Sequence, residues 1–333
     1  MDYSQRPLIE LMKQGNVPGE AGVPRHIETV ISNVFLFPER AYKVYKRDNA
    51  FFNASFRDIS GKAARFDFTR KDFAWNRALS PSIYLEIKGV SLRGGSVTVG
   101  EPADDADELM FVMNRIEAKD VLFERLMKGS ITTEDAYIIG RQLAADLQSV
   151  RVEPVTGVNY FELFERELED LRAWIQGLSG ADIPQEEWTA WLAYLERFRT
   201  EHQAWYEGEL SSQVAQSGDM HSQNAIFTEG VFSLMDTYPP KEDWKLAHEL
   251  TMFYRIGADI WALGSRELFE SYRLGYEQSI NQKVDRRLEE PLVVYSAAIM
   301  MAYLYSLQKS DASKKDAAAK YHAFLRAYFR SVA

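Results

Sequence analysis

The chain has 333 residues, 46% of them hydrophobic and 26% charged, which excludes a disordered or fibrous chain and leaves room for a large core. Its net charge of −10, from 39 Lys and Arg against 49 Asp and Glu, speaks against unspecific nucleic-acid binding. With no cysteine, disulfides, thiolate metal sites, cysteine nucleophiles and iron–sulfur clusters are excluded. The length predicts two lobes, which the pattern below divides at about 1–115 and 116–333.

The opening Met-Asp-Tyr-Ser-Gln-Arg has no apolar segment behind a basic stretch, so no secretory signal is expected. The longest apolar run, Leu292 to Leu307, carries Tyr295, Ser296 and Tyr303 and falls short of the roughly 20 residues a bilayer needs. It predicts a buried helix in a soluble, cytoplasmic protein with no membrane or nucleic-acid partner. Residues 1–100 hold 15 basic and 10 acidic side chains, and the remainder 24 and 39. This is either two differently solvated surfaces or a basic lobe handling an anion beside an acidic lobe attracting a cation.

The first hundred residues read as strands. Val30 to Phe37 is β-rich, Pro38-Glu39-Arg40 is a turn, and Ala41 to Lys46 alternates. That alternation puts Tyr42, Val44 and Lys46 on one face and Lys43 and Tyr45 on the other. A helix is predicted from about Thr69 to Leu79, stopped at Ser80-Pro81. Tyr84–Leu92 and Ser96–Val99 form a strand pair across Gly94-Gly95, Asp104 to Glu108 an acidic loop, and Leu109–Arg115 a further strand. Beyond residue 120, apolar residues recur at helical spacing in Thr133–Ser149, Tyr160–Leu178, Gln185–Leu210, Lys241–Leu263, Arg266–Asn281, Pro291–Gln308 and Ala312–Arg330. One β interruption breaks this run: Asn224–Phe227 and Val231–Met235 flank the turn Thr228-Glu229-Gly230. The expected fold is α+β, a β-rich lobe followed by a larger helical one.

The embedded hairpin carries the informative residues. Before it stands Ser217-Gly218-Asp219-Met220-His221-Ser222-Gln223-Asn224, and after it Asp236. A loop Asp, an Asn at the start of the hairpin and an Asp at its exit can converge at one end of it. That set suits phosphoryl transfer. One carboxylate positions a hydroxyl and takes its proton, while an amide oxygen and a second carboxylate hold Mg²⁺ on nucleotide phosphates.

The segment SGDMHSQN, then AIFTEGVFSLMD, resembles the catalytic loop and metal-binding Asp of the aminoglycoside phosphotransferase family. The upstream blocks HIETVISNVFLFPERAYKVYK, FTRKDFAWNRALSPSIYLEI and FVMNRIEAKDVLFERLMKG resemble a bacterial branch of phosphotransferase-like proteins, in the family's order over about residues 26–265. The resemblance implies a protein-kinase-like fold with a sheet lobe, a hinge and a helical lobe. It implies that Asp219 is the catalytic base and that Asn224 and Asp236 are Mg²⁺ ligands. Lys43 becomes the lysine on the α- and β-phosphates, with Lys46 as the competing candidate. Asp72 becomes the acid paired with that lysine, although an Asp reaches less far than the usual Glu. Ile31, Ser32 and Asn33 come to lie near the phosphate loop, and Met113, Asn114 and Arg115, on to Glu117, at the adenine-binding hinge. Ser217 stands where the family has a loop-supporting His, and the nucleotide loop has no glycine string.

Taken singly, Asp219, Asn224 and Asp236 read equally as turn caps. His221 is read as a support of the loop or as a group acting on the phosphoryl. His26, His202, His248 and His322 show no metal-binding spacing. Trp174, Trp188, Trp191, Trp205, Trp244 and Trp261 read as core, and Glu162, Glu165, Glu167, Glu169 and Asp170 as a solvated face. The expected activity is ATP- and Mg²⁺-dependent transfer of the γ-phosphate to a hydroxyl of a small polar or cationic molecule, such as an aminoglycoside, an amino alcohol or a sugar. The alternative is a pseudokinase that binds nucleotide or a partner without turnover. The residues choose neither between ATP and GTP nor among oligomeric states.

Overall fold

The computed structural model describes residues 5–150, 154–178, 183–307 and 314–332. The expectations for Met1 to Ser4, Gln308 and Ala312 lie outside the described residues. Two compact units divide the chain: Met1–Ala118 with Ser233–Glu242, and Lys119–Phe232 with Asp243–Ala333.

The first unit is built on helix α1 (Arg6–Lys13), strands β1 (Arg25–Glu28), β2 (Ser32–Leu36) and β3 (Arg40–Tyr45), helices α2 (Ala50–Ser55) and α3 (Lys62–Leu79), and strands β4 (Tyr84–Arg93), β5 (Ser96–Gly100) and β6 (Glu108–Asn114). The six strands make one antiparallel sheet in the order β1-β2-β3-β6-β4-β5. The stretch expected as a single strand over Val30–Phe37 is half of a hairpin instead. Backbone bonds pair Arg25–Glu28 with Asn33–Leu36, and residues 29–31 make the turn. Helix α1, absent from the sequence reading, lays Leu8, Ile9 and Met12 against Phe35, Val44, Val90 and Met110. Each of those three side chains stabilises the unit by about 2 kcal/mol through burial.

Helix α3 begins seven residues before its expected start, because the segment from Lys62 carries the buried Arg65 and Phe66. Arg65 donates to both Glu108 carboxylate oxygens at 2.7 Å and to the carbonyls of Ile59 and Ser60 at 3.0 Å. Glu108 is therefore no loop residue. It is 1% exposed at the start of β6, where the arginine replaces its water. Both faces of β3 are covered, so alternation alone could not separate Lys43 from Lys46.

The second unit contains helices α4 (Leu122–Met127), α5 (Thr133–Ser149), α6 (Tyr160–Gln176), α7 (Gln185–Glu201) and α8 (Gln203–Glu207), and strand β7 (Val214–Gln216). The hairpin β8 (Ala225–Thr228) and β9 (Val231–Leu234) follows, β9 carrying the chain back to the first unit. Strand β10 (Leu246–His248) and helices α9 (Thr251–Asp259), α10 (Arg266–Ile280), α11 (Glu289–Leu307) and α12 (Lys314–Val332) complete it. At the hairpin turn, Glu229 and Gly230 have φ of 51° and 76°, the left-handed pair that a tight hairpin needs. Gly140 of α5 and Gly275 of α10 let those helices touch backbone to backbone. A Cβ on either would meet a carbonyl oxygen, Tyr272 O or Tyr137 O, at about 2 Å.

The expected helix over Lys241–Leu263 is not continuous. Leu246–His248 pairs antiparallel with Val214–Gln216, and the helix starts only at Thr251. The expected helix Gln185–Leu210 breaks at His202 into α7 and α8. Among the described residues, Arg286–Leu307 is the one segment long and apolar enough to cross a membrane, and 72% of its most apolar window is buried. Helix α11 packs on α6, α9 and α12, as a core helix does. Of the six tryptophans read as core, only Trp191 is buried; the other five keep an exposed edge, with the Trp244 Nε1–H bonded to Asp170 at 2.9 Å.

Candidate active site

In the first unit, Lys43 sits in the middle of β3, 4% exposed, with its ammonium 2.7 Å from Asp236 Oδ1 and 3.9 Å from Asp72 Oδ2. It also lies 4.8 Å from the centre of the Tyr45 ring. Burial pushes its pKa down, but the two carboxylates outweigh burial and hold it above the ordinary lysine value. Asp72, on α3 and 2% exposed, is the more strained partner. Burial raises its pKa to about 6 against the pull of Lys43. The short reach of an Asp is offset by neighbours: the Tyr45 hydroxyl donates to Oδ2, and Asn76 Nδ2 donates to Oδ1 at 2.5 Å.

Asp236 is the exposed member of the set, its side chain 46% accessible. It follows β9 with φ of 52°, a left-handed conformation that an Asp adopts when its surroundings hold it there. Tyr84 of β4 supplies much of that hold. Its hydroxyl accepts the Asp236 N–H at 2.8 Å and donates to Asp236 Oδ1 at 3.1 Å. The next residue, Thr237, donates its N–H to Asn76 Oδ1 at 2.9 Å, and Leu234 N–H bonds Ser80 Oγ at 3.0 Å. Tyr84, Asn76 and Ser80 escaped the sequence reading, because nothing local marks a buried tyrosine as a partner for a residue some 150 positions away.

Lys46 is not in this cluster; it reaches the β1–β2 turn, 2.5 Å from the Thr29 carbonyl and 2.9 Å from Glu28. Ser32 and Asn33 lie beside the turn but are buried, Ser32 Oγ on Thr29 Oγ1 at 2.8 Å and Asn33 Oδ1 on His26 Nε2 at 3.0 Å. At the end of β6, Met113 is buried and pairs with Ala41 and Tyr84. The Asn114 and Arg115 side chains brace the strand end. Asn114 donates to Ser82 O at 2.6 Å and accepts from Arg40, while Arg115 donates to Phe37 O at 3.1 Å.

In the second unit, the loop 217–224 brings Ser217, Asp219, His221 and Asn224 together. Asn224 Nδ2 donates to the Asp219 carbonyl at 3.0 Å, which fixes which end of the amide is oxygen. The loop is braced without a histidine at position 217. Ser217 N–H bonds Lys245 O at 2.7 Å, Gly218 N–H bonds Met252 Sδ at 3.3 Å, and Ser222 N–H bonds the fully buried Asp259 at 2.6 Å. Asp259 is held in turn by the Tyr321 hydroxyl at 2.5 Å. His221 Nε2 stands 3.9 Å from Asp219 Oδ2, outside hydrogen-bond range.

One further charge lies beside Asp219, and a second acts on it in turn. Arg255 of α9, with its side chain 12% exposed, lies 3.3 Å from Asp219 Oδ1. Burial acts to lower its pKa, but Asp219, Tyr295 and Glu167 hold it above the usual arginine value. Glu167, read from sequence as part of a solvated face, has its Oε2 buried without a hydrogen-bond partner among the described residues. Burial raises its pKa to about 7 despite Arg255. Arg255 was hidden within the expected long helix, and no spacing singled it out.

The donor chemistry fits Mg²⁺. Asp236 in the first unit offers a carboxylate and Asn224 in the second a carboxamide, both hard oxygen donors, and the chain has no thiolate. Among the described residues no group of three or more His, Asp or Glu forms a metal site by itself.

No family model and no curated protein matches the sequence. Solved structures do. A choline/ethanolamine kinase family protein from Mesorhizobium loti matches with a TM-score of 0.53 and 12% identity, over 96% of this chain and 92% of that one. A choline kinase from Cryptosporidium parvum matches at 0.49 and 12%, over 98% and 95%. An aminoglycoside phosphotransferase from Streptomyces rimosus matches at 0.49 and 11%, over 90% and 99%. With its N-terminal antiparallel sheet and larger helical C-terminal part, the chain has the protein-kinase-like fold found in the Mesorhizobium choline/ethanolamine kinase family protein.

Proposed function

We propose that the protein is an ATP-dependent phosphotransferase acting on a hydroxyl of a small molecule. The observation that carries this reading is the buried Lys43 held by Asp72 and Asp236, one of them half-exposed and locked in a left-handed conformation. A buried ion cluster of this kind adds little net stability over well-packed apolar side chains in its place. It is the arrangement that aims one ammonium and one carboxylate at a nucleotide triphosphate. In this reading Lys43 positions the α- and β-phosphates, and Asn224 with Asp236 would hold Mg²⁺, which neutralises charge on the phosphates. Asp219 orients the acceptor hydroxyl and takes its proton as the oxygen bonds to the γ-phosphorus. The bond from that phosphorus to the β–γ bridging oxygen breaks, and ADP leaves.

Asp219 and Asp170 lie with Arg255 and with Glu167, which Arg166 also reaches, and Trp244 and Tyr303 lie beside them, the burial of Tyr303 being reinforced by Asp219 in raising its pKa. Such surroundings suit a cationic or polyhydroxylated acceptor. ATP as co-substrate fits a cytoplasmic setting. The fold alone does not select a substrate. The test is to incubate the protein with γ-labelled ATP, Mg²⁺ and fractionated metabolite extract. Label should appear in a small cationic or polyol fraction; label in inorganic phosphate alone, or none released, overturns the proposal.

A second reading has one observation in its favour. Arg255 occupies one oxygen of Asp219, as in a pseudokinase whose base is sequestered. It predicts Mg²⁺-dependent ATP binding without turnover in the wild type, and some transfer once Arg255→Ala frees Asp219.

A further inference from the structure

The second unit holds a cavity of about 600 Å³ whose lining includes none of Glu167, Asp219, Asn224 and Arg255. It lies where α5 and α10 run on past their backbone contact at Gly140 and Gly275. Ala144, Leu147 and Gln148 of α5 face it, as do Tyr276 and Ile280 of α10. Asn281, with φ of 52°, ends α10 and turns the chain, so that the residues from Gln282 to Asp285 add a further wall. Glu249, Leu250 and Met252, at the entry to α9, complete it. Leu147, Leu250, Met252 and Val284 are buried and make the floor apolar.

Two polar groups of this lining have no partner. Tyr276 is only 6% exposed, yet its hydroxyl makes no hydrogen bond among the described residues. The Glu249 side chain is exposed at the rim and makes neither hydrogen bond nor ion pair among them. Partial cover of its carboxyl raises its pKa. Burial raises that of Tyr276, and the Glu249 carboxylate reinforces the rise, so the two groups act on each other across the cavity. The remaining charges of the lining are satisfied. Arg287 holds Glu209 at 3.1 Å and Asp285 at 2.6 Å, and Glu277 holds Lys283 at 2.7 Å. A buried polar group left unpaired in a native fold asks for an explanation, and a ligand supplies one. We infer that this cavity is a second small-molecule site, taking a monocation that carries an apolar group. Its ammonium is held by the Glu249 carboxylate and donates to the Tyr276 hydroxyl oxygen, and its apolar part lies on Leu147, Leu250, Met252 and Val284. One uncompensated carboxylate calls for one positive charge, and the volume falls within the roughly 300–1,000 Å³ of small-molecule pockets. Met252 ties this wall to the loop that carries Asp219, its Sδ accepting the Gly218 N–H at 3.3 Å.

The inference stands apart from the phosphotransferase reading. The test titrates hexylammonium into the full chain with methyl-labelled methionine and follows the Met252 methyl signal by NMR, with hexanol and hexanoate as neutral and anionic counterparts. Hexylammonium should shift that signal with a Kd of about a millimolar, and hexanol and hexanoate should bind at least about fivefold more weakly. Glu249→Gln and Tyr276→Phe should each weaken hexylammonium by about fivefold. Glu249 is exposed and Tyr276→Phe keeps the ring, so neither change empties the core. Glu249→Lys should reverse the preference in favour of hexanoate, and Asp219→Asn should leave hexylammonium within about twofold. A Met252 signal that hexylammonium does not move overturns the inference. Equal affinity for hexylammonium and hexanoate in the wild type overturns it too, as does an affinity unchanged in both Glu249→Gln and Tyr276→Phe. A loss in Asp219→Asn alone places the cation at the other site and overturns it as well.

Discussion

Replacing Lys43 with methionine keeps the alkyl bulk and removes the charge, so its cost can be worked from the three partners. Asp72 already titrates at about 6 instead of 3.8 with the lysine present. Two units at about 1.4 kcal/mol each put roughly 3 kcal/mol against folding at pH 7 in the wild type. Without Lys43 the pKa climbs further, but at pH 7 the penalty stops near 4 kcal/mol, because the carboxyl then takes up a proton. Asp72 therefore adds only about 1 kcal/mol to the loss. The bond to the half-exposed Asp236 contributes about 0–1 kcal/mol, and the ammonium beside the Tyr45 ring about 0.5–1 kcal/mol.

The predicted total for Lys43→Met is about 2–3 kcal/mol at pH 7. The sign with pH follows from the raised acid. Between about 3.8 and 6 native Asp72 binds more protons than unfolded Asp72, so stability falls as pH rises through that window. In the variant the fall continues above pH 6, while at pH 5 Asp72 is largely protonated in both native proteins. Urea unfolding at both pH values should thus give a cost at pH 5 about 1 kcal/mol smaller than at pH 7. An equal cost at the two pH values, or one under about 0.5 kcal/mol at pH 7, refutes the reasoning.

Tyr84→Phe removes the two hydrogen bonds that the Tyr84 hydroxyl makes with Asp236, for a loss of about 1–3 kcal/mol in unfolding free energy. It should also raise the Mg²⁺ concentration at which nucleotide stabilises the protein, read as the midpoint of a thermal-shift titration. A lowered melting temperature with an unchanged midpoint would confine Tyr84 to a structural role. His248 is 1% exposed, and burial lowers its pKa to about 4. The native state then binds fewer protons than the unfolded state between about 4 and 6.5, so stability falls as pH drops through that window, by up to about 3 kcal/mol. His248→Gln, which can keep a donor to Gln213, should therefore lose ground to wild type at pH 7 and regain it at pH 4.5. A pH-independent difference in melting temperature would remove His248 from the acid response.

Local chemistry explains what could be read in advance. The turn at Glu229-Gly230 was visible because two left-handed residues need a Gly or a tolerant neighbour. The spacing from Asp219 to Asn224 and on to Asp236 was visible because a loop and a hairpin set it within one short stretch. Leu246–His248 was not. A three-residue strand exists only through its partner Val214–Gln216, and its apolar residues suit a helix equally well. The choice between Lys43 and Lys46 was hidden for a similar reason. Strand alternation separates faces, yet β3 is covered on both, and only tertiary packing sends one lysine to two carboxylates and the other to a turn. Arg255, Tyr84 and Asp259 act entirely through residues distant in sequence, so the motif that gave Asp219 and Asp236 could not give the groups that hold them.

The most direct measurement is phosphoryl transfer and MgATP affinity determined on the same preparations of wild type and Asp219→Asn. The account predicts that both proteins bind MgATP within about threefold of each other and that the variant loses at least about a hundredfold in transfer rate. Transfer by the variant at the wild-type rate would contradict it.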